Sequence, residues 1–163
     1  MRPGQLAASV GEAGQVLASG PLREMLCRPE LPISRGEESG VVIDARVADQ
    51  DPVYGLTRLV FPGGALWVGH LDKPEGCPVR VRVLARDVSL ALAAATPSSI
   101  LNVLPASVRA IHDDGPEKVT VLLELGGEGQ SLLARITRRS RDHLALAAGQ
   151  TLFAQVKSVA LLA

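Results

Sequence analysis

Several polar side chains in the second half of this chain are of the types that bind a small, doubly charged oxyanion. Such an anion is held by directed donors, namely hydroxyl groups, backbone N–H groups and one ammonium that converge on it. The candidate donors are Ser98, Ser99, Thr137, Ser140, Lys157 and Ser158. Ser99 follows Pro97 and Ser98 in a predicted turn, where successive N–H groups can point the same way.

The spacing of these residues predicts how they could meet. Thr137 and Ser140 are three apart, so in a helix they share a face, with Thr137 capping the helix and Ser140 pointing back to the same pocket. Lys157 and Ser158 are adjacent on the last predicted strand, where neighbours face opposite sides. Both reach one ligand only if one acts through its backbone or the ligand lies at an edge, which favours a site between two barrel units.

Simpler interpretations of the same residues stay open. Thr137 is accounted for as a helix cap alone, Ser99 as part of a turn, and Lys157 as an edge-strand lysine that blocks aggregation. The three histidines are scattered without metal-ligand spacing. The segment "GGEG" at 126–129 predicts a hairpin turn, since no Lys-Ser/Thr pair follows it. We therefore predict no catalytic residues, no cofactor and no metal site.

Composition narrows the class of protein. The 163 residues carry 17 Lys+Arg and 17 Asp+Glu, which argues against a nucleic-acid partner. Aromatic residues are rare, so the core must be built from Val, Leu, Ile and Ala. Cys27 and Cys77 are far apart and are interpreted as free thiols in a reducing compartment. No apolar run is long enough for a membrane helix and no signal peptide is recognisable, which predicts a cytoplasmic protein without direct membrane insertion.

The elements that position these donors are predicted to be mostly β. In residues 1–40 we expect a short helix capped by Ser19 with Pro21 in its first turn, followed by a linker. From Val41 onward, apolar and polar residues alternate between Gly and Pro turns. Val79, Val81 and Val83 alternate with Arg80 and Arg82, the pattern of a strand with one wet face.

The two halves of the β region resemble each other. "LVFPGGALWVG" aligns with "LLELGGEGQSLLARI", and "VRVLARDVSLAL" aligns with "LFAQVKSVALLA". A period of about 60 residues suits a duplicated small barrel, whereas chance similarity between short strands is the alternative. The period therefore predicts a pair of duplicated small barrels.

Residues 96–163 also resemble a known family. "SSILNVLPASV" and "LLARITRRSRDHLALAAGQTLFAQVKSVAL" are similar to the Mop domain, an OB-like, TOBE-type molybdate-binding module of storage proteins, regulators and importer ATPases. Upstream, "VIDARVADQDPVYGLTRLVFPGGALWV" resembles the preceding half of the importer ATPase's regulatory region. "GQVLASGPLREML" resembles the last strand and helix of an ABC nucleotide-binding domain. The resemblance thus implies tandem OB-like barrels, with a first half-domain at 41–95 and a Mop domain at 96–163. It also implies that residues 1–40 are the end of an ABC nucleotide-binding domain plus a linker.

The resemblance implies a function. It assigns an oxyanion site for molybdate or tungstate to Ser99, Thr137, Ser140, Lys157 and Ser158, and a regulatory role in a molybdate ABC importer. Many relatives carry Arg at the third position of the S-x-x-N turn, whereas this chain has Leu101, so one cationic contact is missing. A structural dimerisation module with a vestigial site is the alternative function.

The resemblance also implies partners and a location. The barrels would mediate a homodimer or higher homo-oligomer, and the parent subunit would bind the membrane permease, peripheral to the inner membrane. No P-loop, G-x-x-x-x-G-K-[ST], occurs in the sequence, so we expect no ATP hydrolysis by this chain alone.

Overall fold

The computed structural model of the protein describes residues 6–10, 16–21, 39–94, 97–127 and 129–162. The strands are β1 (Leu6–Val10), β2 (Val16–Pro21), β3 (Gly40–Asp51), β4 (Leu56–Phe61), β5 (Gly64–Gly69), β6 (Pro78–Leu84), β7 (Val88–Ala91), β8 (Asn102–Asp114), β9 (Lys118–Leu125), β10 (Gln130–Thr137), β11 (Thr151–Val156) and β12 (Ala160–Leu162). A 3-10 turn at Ala85–Asp87 links β6 to β7, and the helix α1 (Arg138–His143) follows β10. The prediction of a mostly-β chain is confirmed.

The first two strands pair with each other and correct one prediction. Ser19 and Pro21 belong to β2, which pairs antiparallel with β1. Ser19 therefore does not cap a helix, and the predicted helix start is wrong. A proline is compatible with the end of an edge strand because no further ladder bond needs its missing N–H. The rest of the predicted helix and its linker lie outside the described residues, and the assignment of 1–40 to a nucleotide-binding domain stays a prediction.

The remaining strands form two five-stranded antiparallel sheets with equivalent topologies. The first sheet has the order β12-β6-β3-β4-β5, and the second has the order β7-β11-β8-β9-β10. The strands correspond in the order given, so that β12, β6, β3, β4 and β5 of the first sheet match β7, β11, β8, β9 and β10 of the second. This equivalence supports the interpretation of the chain as a pair of duplicated OB-like units.

The two halves exchange their final strands. β7 leaves the first half and pairs with β11 of the second sheet, whereas β12 leaves the second half and pairs with β6 of the first sheet. The aligned segments "VRVLARDVSLAL" and "LFAQVKSVALLA" are thus each broken into two strands that lie in different sheets. The predicted boundary between 95 and 96 falls in the connection from β7 to β8. The division into domains at that point stays a prediction.

The two Gly-Gly turns that aligned in the sequence meet in the structure. Gly63 lies at the β4–β5 turn with φ of +110°, and Gly126 follows β9 with φ of +61°. A Cβ atom on Gly126 would lie 2.7 Å from the Cα of Gly63. Glycine is therefore required at both positions for two reasons, the positive φ angle and the close approach of the other turn.

The core runs continuously through both sheets and follows the predicted alternation. In β6, Val79, Val81 and Val83 are buried, whereas Arg80 is exposed and Arg82 is half-buried. Burial of such β-branched side chains on one face is what stabilises a sheet against its neighbour. Phe61 is the one aromatic side chain among the buried hydrophobic residues that the structure describes.

No helix in the described part of the chain is long and apolar enough to cross a membrane.

Candidate functional site

The structure places Thr137 and Ser140 in direct contact at the start of α1. The Thr137 hydroxyl accepts a hydrogen bond from the Ser140 backbone N–H at 3.0 Å and donates one to the Ser140 Oγ at 2.8 Å. Thr137 is the N-cap residue, in extended conformation, as its position predicts. Because the Thr137 hydroxyl donates its single proton to Ser140, the proton of the Ser140 hydroxyl can be donated to an acceptor outside the pair.

Ser140 faces a groove between α1 and β7. The groove has a volume of about 470 Å³. Its apolar lining comes from three aliphatic side chains, Leu90, Ile136 and Leu144, and its polar lining comes from Ser89, Arg139, Ser140 and His143. No carboxylate lines it among the described residues. Hydroxyl and cationic groups around an apolar floor are suited to a ligand that carries negative charge.

Lys157 and Ser158 were predicted to lie on the last strand. In the structure they lie in the connection between β11 and β12. β11 ends at Val156 and β12 begins at Ala160, so this prediction is wrong. Between these strands the chain passes from the second sheet to the first, which interrupts the strand hydrogen bonds. The side chains of Lys157 and Ser158 therefore need not point to opposite faces of a sheet. The Lys157 backbone N–H donates to the Asp87 carbonyl at 2.9 Å. Both side chains are exposed, and neither has a hydrogen-bond partner in the described part of the chain.

Ser99 lies in the turn that leads into β8, also with an exposed side chain. The hydroxyl of its neighbour Ser98 accepts a hydrogen bond from the Ile100 N–H at 3.1 Å, which fixes the turn. Asn102 at the start of β8 is the register partner of Val156 at the end of β11. Ser99 and Lys157 therefore lie just beyond the same end of two paired strands.

The hydroxyl pair and the lysine are connected through β7 and the turn that precedes it. Asp87 accepts the backbone bond of Lys157, and Ser89, which follows on the same stretch of chain, lines the groove with Ser140. β11 and β7 are paired neighbours, with Val156 opposite Val88. The described contacts thus bring Thr137 and Ser140 together directly. Lys157 is held beside the turn before β7 by its backbone hydrogen bond to Asp87, whereas Ser99 is placed near Lys157 by the register of β8 and β11 alone.

The sequence did not predict the nitrogen-bearing side chains that line the groove. Arg139 and His143 line the groove beside Ser140, and neither was among the predicted donors. They are one helical turn apart, so they share a face of α1. This spacing was visible in "RRSRDH", but the predicted role of the segment rested on Thr137 and Ser140 alone.

Asn102, the last residue of the S-x-x-N turn, makes hydrogen bonds within the protein that connect the two sheets. Asn102 is only 9% exposed, and its amide bridges to the backbone of Trp67 in β5. The Trp67 N–H donates to Oδ1 at 2.7 Å, and Nδ2 donates to the Trp67 carbonyl at 2.9 Å. This pair of bonds ties the start of β8 in the second sheet to the edge strand of the first.

The first half of the chain offers a different set of groups at the equivalent place. In the aligned segments, Arg86 and Asp87 stand where Lys157 and Ser158 stand in the second half. The loop that follows β5 has no helix where α1 follows β10. A carboxylate in place of the Ser158 hydroxyl would repel an anion, so the first half lacks the set of donors that was predicted for the second half.

Several known proteins are similar to this chain. The family model for the TOBE domain matches residues 98–163. The molybdenum import ATP-binding protein ModC of Aromatoleum aromaticum is 52% identical over 149 residues, which cover 91% of this chain and 39% of that protein. ModC 1 of Azotobacter vinelandii is 49% identical over 152 residues, covering 93% and 42% respectively. ModC of Pseudomonas aeruginosa is 51% identical over 155 residues, with the same two coverages.

The chain therefore spans about two fifths of the length of these curated relatives. Among solved structures, the cytoplasmic molybdate-binding protein ModG with molybdate bound has a TM-score of 0.62. The two sequences are 22% identical, and the match covers 74% of this chain and 95% of that one. At this identity the likeness establishes the fold, which agrees with the two OB-like units described above.

Proposed function

We propose that this chain binds molybdate or tungstate and regulates a molybdate ABC importer. Its residues 98–163 match the family model for the TOBE domain. The relatives that it matches are molybdenum import ATP-binding proteins, and its structural neighbour is a molybdate-binding protein. In such an importer the chain would act as part of the ATP-binding subunit, in contact with the permease at the inner membrane.

The observation that carries this proposal is the hydrogen-bonded pair of Thr137 and Ser140. With Thr137 as the donor, the Ser140 hydroxyl proton is available to another acceptor, and Ser140 lines a groove to which no carboxylate of the described residues contributes. A tetrahedral dianion accepts hydrogen bonds at all four oxygens and donates none, so it needs such a donor-only lining. The Lys157 ammonium and the hydroxyls of Ser99 and Ser158 would complete the shell.

Binding would act on the importer by shifting an equilibrium. A ligand changes the population of two conformations only by the difference between its affinities for them. The strands exchanged between the two halves, and the Asn102 bridge, connect the candidate site to the first sheet. A change at the site would therefore be passed to both halves of the chain.

A thermal-shift titration tests the binding. A ligand that binds only the folded chain stabilises it by about 2.7 kcal/mol at a hundredfold excess over Kd. We expect sodium molybdate and sodium tungstate to raise the melting temperature, with sodium sulfate and sodium chloride at equal ionic strength as controls. Unchanged melting at millimolar molybdate and tungstate would remove the proposal.

A second function is favoured by the exposed apolar side chains. Leu101 is 62% exposed in the turn before β8, and Leu161 and Leu162 are 46% and 37% exposed on the edge strand β12. An apolar strand at an open sheet edge favours pairing with a second copy. A dimerisation module with a vestigial anion site would show concentration-dependent association in sedimentation experiments but no thermal response to molybdate.

A further inference from the structure

The basic residues of α1 are divided between two faces of the helix. Arg141 pairs with Asp113 at 3.1 Å and with Asp142 at 2.9 Å, and Arg138 donates to the Pro116 carbonyl at 3.3 Å. These contacts attach one face of the helix to the end of the β8–β9 hairpin. Arg139 instead faces the groove.

Arg139 is a cation without a counterion in the described part of the chain. Neither Arg139 nor His143 makes a hydrogen bond or ion pair there, and both side chains are exposed where they line the groove. The nearest carboxylates of the helix and of β8, those of Asp142 and Asp113, are engaged by Arg141. The groove beside Ser140 therefore carries uncompensated positive charge.

A dianion at this site would need more positive charge than Lys157 supplies. A single ammonium neutralises half of the charge of the anion, and the remaining hydroxyl donors carry no formal charge. The turn before β8 adds none, because Ile100 and Leu101 are both apolar. A guanidinium also offers parallel N–H groups that match two oxygens of one tetrahedral anion.

We propose that Arg139 is a cationic ligand of the oxyanion, acting with the Ser140 hydroxyl and with His143 on the same wall of the groove. This inference rests on the proposed function and extends it by assigning a ligand residue outside the five predicted from the sequence. It also accounts for a site that functions with leucine at position 101.

Calorimetric titration of the full chain with sodium molybdate tests the assignment. Arg139→Gln should weaken binding about tenfold or more, because it removes a charge-assisted donor. Arg139→Lys should retain part of the affinity, since it keeps the charge but loses the parallel N–H groups. Arg138→Gln is the matched control, because it removes the same charge from the neighbouring position of the helix, where the side chain contacts the Pro116 carbonyl and does not line the groove. It should bind within about twofold of the wild type.

The melting temperature of the ligand-free variants separates binding from folding. Arg139 is exposed, so Arg139→Gln should melt with the wild type in the absence of molybdate. Unchanged affinity in Arg139→Gln, or equal weakening in both glutamine variants, would overturn the assignment while leaving the proposed function in place. Absence of binding by the wild type would overturn both.

Discussion

The hydroxyls of Thr137 and Ser140 lie 2.8 Å apart at the first turn of α1, with Thr137 as donor and Ser140 as acceptor. The same Thr137 oxygen accepts the Ser140 backbone N–H, so one side chain both begins the helix and orients the hydroxyl that faces the groove. The structural interpretation of Thr137 as a cap and its interpretation as part of a site are therefore compatible.

Substitution of Thr137 should affect stability and binding together. Thr137→Val removes the cap, which should lower the free energy of unfolding by about 0.5–2 kcal/mol, and it also leaves Ser140 unoriented. Thr137→Ser keeps the hydroxyl and should behave like the wild type in both respects. Urea unfolding and molybdate calorimetry measure the two effects. Wild-type molybdate affinity in a destabilised Thr137→Val would show that the cap serves the fold alone.

A carboxylate at position 158 should weaken molybdate binding. Ser158→Asp reproduces the residue that Asp87 supplies at the equivalent place of the first half, and it sets a negative charge against a dianion. Molybdate affinity should fall at least tenfold by an order-of-magnitude Coulomb estimate. Ser158→Asn, which is neutral and of the same shape, should lose much less. Equal affinities for the two variants, measured by calorimetry, would place Ser158 away from the anion.

The bridge from Asn102 to Trp67 should contribute to stability rather than to binding chemistry. Asn102→Ala leaves a part-buried N–H and carbonyl of Trp67 without their amide partners, which costs about 1 kcal/mol. Ser99→Ala, in the exposed turn nearby, should change the free energy of unfolding by less than about 0.5 kcal/mol. Denaturant unfolding of both variants gives the comparison. A similarly small loss for Asn102→Ala would show that the bridge does not hold the halves together.

An arginine at position 101 should tighten binding. Leu101 is 62% exposed, so a guanidinium there keeps its contact with water and does not disturb the core. If the turn before β8 borders the anion, Leu101→Arg adds one charge-assisted donor and should improve molybdate affinity by about tenfold. Leu101→Gln, without the charge, is the control. An arginine variant no tighter than the glutamine variant would place the turn outside the site.

Much of this architecture was predictable because local patterns determine it. The alternation of Val79, Val81 and Val83 with arginines predicted a half-wet strand, and the repeated Gly-Gly turns predicted equivalent halves. Thr137 at three residues before Ser140 predicted the helix cap. Each of these features depends on residues that are close in sequence.

The features that were missed depend on tertiary contacts. Nothing in the short apolar strands β7 and β12 specifies which sheet they join, so their exchange could not be predicted from their sequences. The same exchange breaks the last predicted strand at Lys157 and Ser158. The proposed role of Arg139 depends on β7, which forms the opposite wall of the groove. Ser19 was misassigned because a serine before a Pro-containing segment is typical of a helix start as well as of a strand end.

The most direct test of the account is the molybdate affinity of Lys157→Ala compared with the wild type. The exposed lysine should contribute no more than about 0.5 kcal/mol to folding, so the variant should remain as stable as the wild type. Loss of one charge-assisted hydrogen bond, worth about 1.5–3 kcal/mol, predicts a Kd that is roughly ten- to a hundredfold weaker. Lys73→Ala, which removes an exposed lysine from the loop after β5, should bind like the wild type. Equal molybdate affinity in Lys157→Ala and the wild type would contradict the account.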